Sequence, residues 1–321
     1  MNQVVLGLLT CPICRSVLAD LGESLVCNRR HTFPVVRGIP RFTPTSSYAD
    51  SFGFQWKRFP TRQLDAGNRR DSELTFMAKT GLTPDDVKGK LVLDAGCGMG
   101  RFSDVVARWG VDRIVAVDLS QAVEVAAENL SAYPAATALQ ADLENLPFAP
   151  ETFDIVFSIG VLHHTPSTER TFRTLATFVK PGGIYCVWVY SRHLRATLAG
   201  GEIIRLFTRR MDRQKLLHLI QKTEPKLSSM KMQIPALSRL IDLAIPTSNH
   251  SDKEWRQLDT LDWYSPRYQW KHSFSEVMGW YRALGFEHIE RLNVRVAVRG
   301  HRPMRDLTGE DADISGRPVE R

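Results

Sequence analysis

The chain has 321 residues, 43% of them apolar and 24% charged, with a formal net charge of +7. That is enough chain for one large or two modest domains with a buried core, and the composition excludes a low-complexity or disordered protein. No stretch reaches the ~18 apolar residues of a membrane span, and the opening MNQVVLGLLTCP lacks the basic start of a signal peptide, so the expectation is a soluble, cytoplasmic protein without a transmembrane segment.

The cysteines number five, and three of them lie near the N-terminus beside a histidine, which argues for metal rather than disulfides. Cys11-Pro-Ile-Cys14 followed by Cys27 and His31 is a two-knuckle spacing. Each half presents two ligands, and four N/S ligands close a tetrahedron around a structural Zn²⁺ with no open position for catalysis. A module of about 40 residues holds too little apolar surface to fold alone, which gives the metal a reason to be there. The competing reading is three buried or free cysteines and an unrelated histidine. The polar stretch TPTSS, with Pro44, ends this module at residue 45.

Residues 46–89 read as linker and helices. YADSFGFQWKRF is dense in aromatics, which suits a helix packed on a core or a lid over a ligand. Asp71 to Gly81 follows a helical pattern with Leu74, Met77 and Ala78 on one side, closed by Gly81 and Pro84.

From Lys90 to Gly100 the chain reads KLVLDAGCGMG. A buried strand ends at Asp94, glycines stand at 96, 98 and 100, and a helix starts at Arg101, its inner side marked by Phe102, Val105, Val106 and Trp109. Glycines let a ligand approach backbone amides without a side chain in the way, and the helix points its positive end at the same place. A second buried strand, 113–117, ends at Asp118, an acid placed to accept hydrogen bonds from ribose hydroxyls or to start the next helix. The third strand, 137–140, is followed by Asp142, and the fourth, 153–158, ends at Ser158. Alternating strands and helices imply a parallel sheet with a ligand at the carboxyl ends of the strands. Asp94, Asp118, Asp142 and Ser158 all fall at such ends. His163 and His164 follow the fourth strand, where an imidazole either takes a proton from the acceptor or only positions it. A helix at 171–179, a turn at 180–183 and a fifth strand at 184–190 complete this unit.

Taken together, VLDAGCGMGRF, VDLS, ADLENLPF, FDIVFSIGVLHHTPS and VKPGG resemble, in order, the motifs of class I S-adenosylmethionine-dependent methyltransferases. The resemblance implies a Rossmann-like α/β fold with a seven-stranded sheet and S-adenosyl-L-methionine as cofactor. It implies that the loop from Asp94 and Ala95 through Gly96, Gly98 and Gly100 holds the methionine part. Asp118 and Leu119 would then face the ribose, Asp142 the adenine amino group and Leu143 the adenine ring, with Ser158 at the same rim. The cysteine-rich start resembles the zinc ribbons of rRNA guanine-N1 methyltransferases and of small zinc-ribbon methyltransferase activators.

Between residues 192 and 272 the alternation stops, and clusters such as EIIRLF, KLLHLI and LSRLIDLAI predict three amphipathic helices punctuated by Pro225, Pro235 and Pro246. Ser191 to His272 carries 15 Lys and Arg against 8 Asp and Glu, which accounts for the whole excess charge of the chain. A cap over the acceptor, a basic surface for RNA or a membrane, and plain solvated helices all suit this segment. The aromatic run Asp262–His272 lines a pocket or packs as a return crossing. Ser273 and Glu276 form a capping box for a helix with Val277, Trp280, Tyr281 and Leu284 inward. Edge strands follow at 286–290 and 293–298, and a polar tail runs from Gly300.

The expected organisation is a zinc ribbon at 1–45, a cofactor core at 90–191 and 273–299, and a substrate cap at 192–272. The expected activity is methyl transfer to a small or amphiphilic metabolite of quinone, lipid, sugar or natural-product type. An rRNA or tRNA acceptor ranks second and a non-catalytic scaffold third. Nothing in the sequence sets the oligomeric state.

Overall fold

Apolar runs too short for helices and covered on both faces build a central sheet, and the amphipathic segments between them cover it. The computed structural model describes residues 3–43, 47–67, 69–192 and 199–304. Residues 44–46 of the proposed linker, 193–198 at the start of the insertion and the tail beyond 304 lie outside the described residues.

The chain opens with a short helix, α1 (Gln3–Leu6), and a four-stranded antiparallel sheet of β1 (Leu18–Asp20), β2 (Ser24–Cys27), β3 (Thr32–Val36) and β4 (Ile39–Pro40), ordered 1-2-3-4. Helices α2 (Asp50–Arg58), α3 (Asp71–Thr80) and α4 (Pro84–Val87) lead into β5 (Leu91–Ala95), α5 (Arg101–Arg108), β6 (Arg113–Asp118), α6 (Ala122–Asn129) and β7 (Ala136–Gln140). Then come β8 (Phe153–Ile159), a 3₁₀ turn at Leu162–His164, α7 (Thr168–Ala176) and β9 (Val179–Trp188). Four helices follow, α8 (Ala199–Thr208), α9 (Arg213–Gln233), α10 (Pro235–Ala244) and α11 (Lys253–Tyr264), before α12 (Phe274–Ala283), β10 (Glu287–Arg291) and β11 (Ala297–His301).

The second sheet has seven strands in the order β10-β11-β9-β8-β5-β6-β7. Strands β5 to β9 run parallel, and β11 pairs antiparallel with both β9 and β10. This is the expected Rossmann-like sheet. The chain direction across it reverses at β5, which pairs with β6 on one side and β8 on the other. A crevice opens above the carboxyl ends of the strands at such a point.

The structure corrects several details. The inner side of α3 is Ser72, Glu73, Phe76 and Thr80, and Leu74 is 59% exposed. Burying Glu73 is tolerated because Arg70 and the Trp109 indole N–H both bond its carboxylate. Helix α7 starts earlier than 171, at the residue after Ser167, whose hydroxyl caps it. Lys180 to Gly183 is no separate turn but a bulge inside β9, where the pairing with β8 slips between Phe153 and Ile155. The insertion holds four described helices rather than three, and Pro225 lies inside α9 instead of ending it. The lost backbone bond is offset by packing of Leu216, Leu217 and Ile220 on Leu258, Leu261 and Tyr264. The last strand lies at 297–301 rather than 293–298.

The N-terminal sheet is docked on the larger one. Arg41 pairs in parallel with Gln140 just past β4, and Thr10 donates its N–H to the Pro147 carbonyl at 2.8 Å. Leu9, Leu18, Leu25 and Phe33 share one buried cluster with Leu139, Leu146 and Phe148.

Candidate active site

The loop after β5 is built for close approach. Gly96 has φ +94°, and a Cβ there would lie 2.4 Å from Val161 Cγ1. Gly98 has φ +55°, and a Cβ there would meet Trp56 Nε1 at 2.8 Å. Only glycine fits at 96, whereas a side chain at 98 would require Trp56 to move. Trp56 belongs to α2, so this helix lies across the loop, and Lys57 Nζ anchors it to Gln121 Oε1 at 2.6 Å. Beneath, a cavity of about 240 Å³ is lined by Gly96, Gly98, Asp118, Leu119, Leu143 and His164 among the residues singled out by sequence.

Asp118 is held at the tip of β6. One carboxylate oxygen accepts the Gly98 N–H at 2.9 Å, and the other accepts the Ser120 N–H and hydroxyl at 2.8 and 2.7 Å. Both readings of this acid therefore coexist geometrically, since it starts the next turn and lines the cavity. Burial raises its pKa.

The remaining candidates sit at the rim without lining the cavity. Asp94 is buried with its carboxylate on Ser103 Oγ at 2.7 Å, which ties β5 to α5. Ser158 donates to the Ala95 carbonyl at 2.8 Å, and Asp142 accepts the Glu144 N–H at 2.9 Å. Gly100 precedes α5 with φ +86°. Burial raises Asp94 from 3.8 to about 7. The folded chain therefore holds this proton more tightly than the unfolded one, so its contribution to stability is full below pH 4 and lost as pH rises through 7. Asp94→Asn keeps an acceptor for Ser103 and is expected to abolish this loss, which is worth as much as roughly 4 kcal/mol. Urea unfolding of both chains between pH 4 and 8 checks it, and parallel curves would contradict it.

The two histidines differ. His163 is fully buried and stacked on Tyr190 at 3.9 Å between ring centroids, and neither ring nitrogen has a partner. His164 presents Nδ1 at 2.8 Å to the Tyr268 carbonyl. A carbonyl only accepts, so Nδ1 carries the hydrogen and Nε2, which has no protein partner, is left as a base. Burial lowers both pKa values, that of His163 furthest.

The far wall comes partly from the run Asp262–His272, which the sequence offered as pocket lining, and otherwise from residues that sequence reasoning missed. Asp259 and Asp262, one turn apart on α11, line this cavity together with Trp188, Tyr190 and Lys79. Asp262 accepts the Tyr190 hydroxyl at 2.8 Å, Ser248 donates to Asp259 at 2.9 Å, and Lys79 Nζ lies 3.3 Å above the Trp188 ring. Burial raises Asp259 to about 6 and lowers Lys79 to about 7. A second cavity of about 530 Å³ shares Trp188, Tyr190, Asp259 and Asp262 with the first and extends between α8, α10 and α11. The strand-end rule that flagged Ser158 also points at Trp188 and Tyr190, at the end of β9. For Asp259 the only signal was an acid pair spaced i, i+3 beside apolar helical positions.

Cys11, Cys14, Cys27 and His31 converge away from the crevice, their ligand atoms all within 4.8 Å of one another. Cys11 Sγ and Cys27 Sγ each lie 3.4 Å from His31 Nδ1, and Cys14 Sγ lies 3.7 Å from Cys27 Sγ. Three sulfurs and one imidazole nitrogen at these separations fit a tetrahedral Zn²⁺.

Residues 93–187 match the methyltransferase domain family. The ubiquinone biosynthesis O-methyltransferase of Rhizobium etli is 30% identical over 175 residues, which cover 51% of this chain and 68% of that protein. The sterol 24-C-methyltransferase of Eremothecium gossypii is 24% identical over 227 residues, 68% of this chain and 56% of its own length. A solved S-adenosylmethionine-dependent methyltransferase from Mesorhizobium loti is 28% identical and superimposes with a TM-score of 0.32, covering 35% of this chain and 51% of that one. The glycine loop and the acid at the tip of β6 stand within the residues matched by the family, and the chain belongs to the class I S-adenosylmethionine-dependent methyltransferases.

Proposed function

We propose that the chain methylates a hydroxyl of a small amphiphilic acceptor whose apolar body occupies the second cavity. The observation that carries this reading is that cavity's position. It opens from the cofactor cavity through Asp259, Asp262, Trp188 and Tyr190, is walled by Trp263, Pro246 and Val294, and has a volume within the ~300–1,000 Å³ usual for small-molecule sites. The two curated relatives, by their names a ubiquinone biosynthesis O-methyltransferase and a sterol 24-C-methyltransferase, support an acceptor of this kind.

S-adenosylmethionine, when bound, supplies a methyl group already activated on a sulfonium centre. The residues of this chain have three tasks. The glycine loop, Asp118 and Leu143 hold the cofactor. Trp188 and Tyr190 set the approach of the acceptor, and alignment supplies most of the rate. His164 Nε2 accepts the hydroxyl proton. In this reading residues 192–272 cap the acceptor, as an insertion grafted on a shared core.

Transfer of labelled methyl from S-adenosylmethionine tests the proposal, with a prenylated hydroquinone, an unprenylated catechol and total RNA offered in parallel. The expected result is label on the prenylated acceptor, at a KM at least tenfold lower than for the catechol. Label on RNA alone, or cofactor binding with no transfer to any of the three, overturns it.

We further propose that Cys11, Cys14, Cys27 and His31 hold a structural Zn²⁺. Cys27→Ser, or chelation of the native chain, is expected to unfold residues 9–42 and lower the melting temperature. Arg15 bonds the Leu146 carbonyl at 3.0 Å on the segment that follows Leu143, so cofactor affinity is expected to fall several-fold as well. Metal analysis that finds less than one zinc per chain would contradict it.

A further inference from the structure

The insertion carries a surface that the catalytic reading leaves unused. On α8, Ile203, Leu206 and Phe207 are 63%, 55% and 71% exposed, and Leu240 and Leu243 are exposed on α10. These two helices touch, and a Cβ on Gly200 would overlap the Ala244 carbonyl oxygen. Helix α9, which packs beside α10, turns outward a stripe of Lys215, Leu219, Lys222, Lys226 and Met230, spaced i, i+4, i+7, i+11 and i+15. Met232 and Ile234, also exposed, extend it.

Charge on this surface has one sign. Residues 203–245 include nine Lys and Arg but three Asp and Glu, and the exposed Glu202 at the start of α8 is taken up by Lys271 and Arg205. Each of the three acids is engaged. Asp212 caps α9 through the Gln214 and Lys215 amides, Glu224 is fully buried against Arg256, and Asp242 pairs with the buried Lys231. Arg209, Arg210, Lys215, Lys222, Lys226 and Arg239 are exposed. The outward side is therefore both apolar and cationic, with no free acid to balance it.

That combination selects the occupant. A nucleic acid would use the cations and leave Phe207 and Ile203 in water. A second copy of the chain would set cation against cation. An anionic bilayer takes both, with apolar side chains in the acyl boundary and Lys and Arg among the headgroups. No helix among the described residues is long and apolar enough to cross a membrane, so the contact is at the surface.

We propose that α8, α9 and α10 form an interfacial face that seats the enzyme on an anionic phospholipid bilayer. Two of these helices, α8 through Gly201 and Arg205 and α10 through Asp242, wall the second cavity, so the seated face lies beside the chamber assigned above to the acceptor. The proposal does not depend on that assignment, because its test contains no acceptor.

Sedimentation of the full chain with vesicles of phosphatidylcholine, with and without phosphatidylglycerol, provides the test. Binding is expected only to vesicles containing phosphatidylglycerol and is expected to weaken with salt. Lys222→Glu with Lys226→Glu should lower vesicle affinity by at least about 25-fold, since each cation lost is worth about fivefold. Phe207→Ser with Ile203→Ser should lower it by at least tenfold. Both pairs are exposed, and unchanged S-adenosylmethionine binding by calorimetry would show that the variants are folded. No vesicle binding, binding indifferent to both pairs of substitutions, a dimer dissolved by Phe207→Ser, or RNA retention that survives Phe207→Ser would each overturn the proposal.

Discussion

Gly96→Ala is expected to lower affinity for S-adenosylmethionine by more than about a hundredfold while leaving the chain folded. The added methyl would lie 2.4 and 2.5 Å from the two Cγ atoms of Val161 and 2.8 Å from its Cβ. A β-branched side chain has few rotamers to escape into, so rotation of Val161 cannot relieve all three contacts. The backbone at φ +94° adds a further penalty on the order of 1–2 kcal/mol for any residue with a Cβ. The loop must therefore shift, and its amides with it, and displacement of about 1 Å at a site of this kind costs on the order of 10²-fold. Gly98→Ala provides the contrast. Its methyl meets the far end of the Trp56 side chain on α2, which can move, so a loss nearer tenfold is expected. Adding Val161→Ala to Gly96→Ala should recover part of the affinity, the signature of a direct clash in a double-mutant cycle. Calorimetry on the native chain, both glycine variants, Val161→Ala and the double variant reads the cycle and its contrast, and full affinity in Gly96→Ala would remove the steric argument.

His164→Ala is expected to lower kcat by 10²- to 10⁴-fold, the usual range for loss of a general base, with cofactor affinity changed only a few-fold. The ring is fixed by the Tyr268 carbonyl at Nδ1 and by Phe52 at 5.1 Å between centroids, so Nε2 has one direction to face. Burial holds the pKa of His164 below 6.5. The base is therefore neutral at pH 7, and the rate should fall only as pH drops through that lowered value. Stability falls in the same direction, because the unfolded histidine binds the proton more readily than the folded one. His164→Asn retains a donor for Tyr268 without a base, so it should restore stability and not rate. His163→Ala is expected to lose stability with little change in kcat, since its ring nitrogens reach no cavity. Equal rates in native and His164→Asn chains, or an unchanged acid limb in the pH profile, would remove His164 from the proposed mechanism.

The parallel sheet was legible because its strands are covered on both faces and so carry consecutive apolar residues, as in Leu91–Leu93 of β5 and Ile155–Phe157 of β8. The glycine loop and Asp118 were legible for a related reason, since backbone geometry and a strand-end acid leave marks at fixed spacing. Side-chain direction left no such mark. Asp94 and Ser158 occupy the right rim, yet one bonds Ser103 and the other the Ala95 carbonyl. Helix α3 was turned the wrong way because apolar spacing alone assigned its face. In the structure Glu73 and Thr80 are buried on bonds to Trp109 and the Phe76 carbonyl, which no local pattern announces. Asp259 reaches the wall from α11, more than 140 residues beyond the glycine loop, and its place depends on helix packing that spacing does not encode, whereas Asp262 opens the run already offered as pocket lining.

The docking of the N-terminal sheet also bears on how the chain comes to be folded during synthesis. Its anchors are distant in sequence: Arg15 bonds a carbonyl 131 positions on, and Arg41 a side chain 99 positions on. At roughly 5–20 residues per second, a ribosome takes on the order of 5–25 seconds to supply those partners. For that interval residues 9–42 have no second surface to bury Leu25 and Phe33 against, and the four-ligand cluster is the one device they carry for holding shape alone. With Zn²⁺ held as proposed above, the cluster would act as a placeholder in time, keeping a preformed edge ready for β7 when Gln140 and Phe148 emerge. A nascent chain stalled near residue 100 should therefore show its N-terminal sheet protected from protease only when zinc is present.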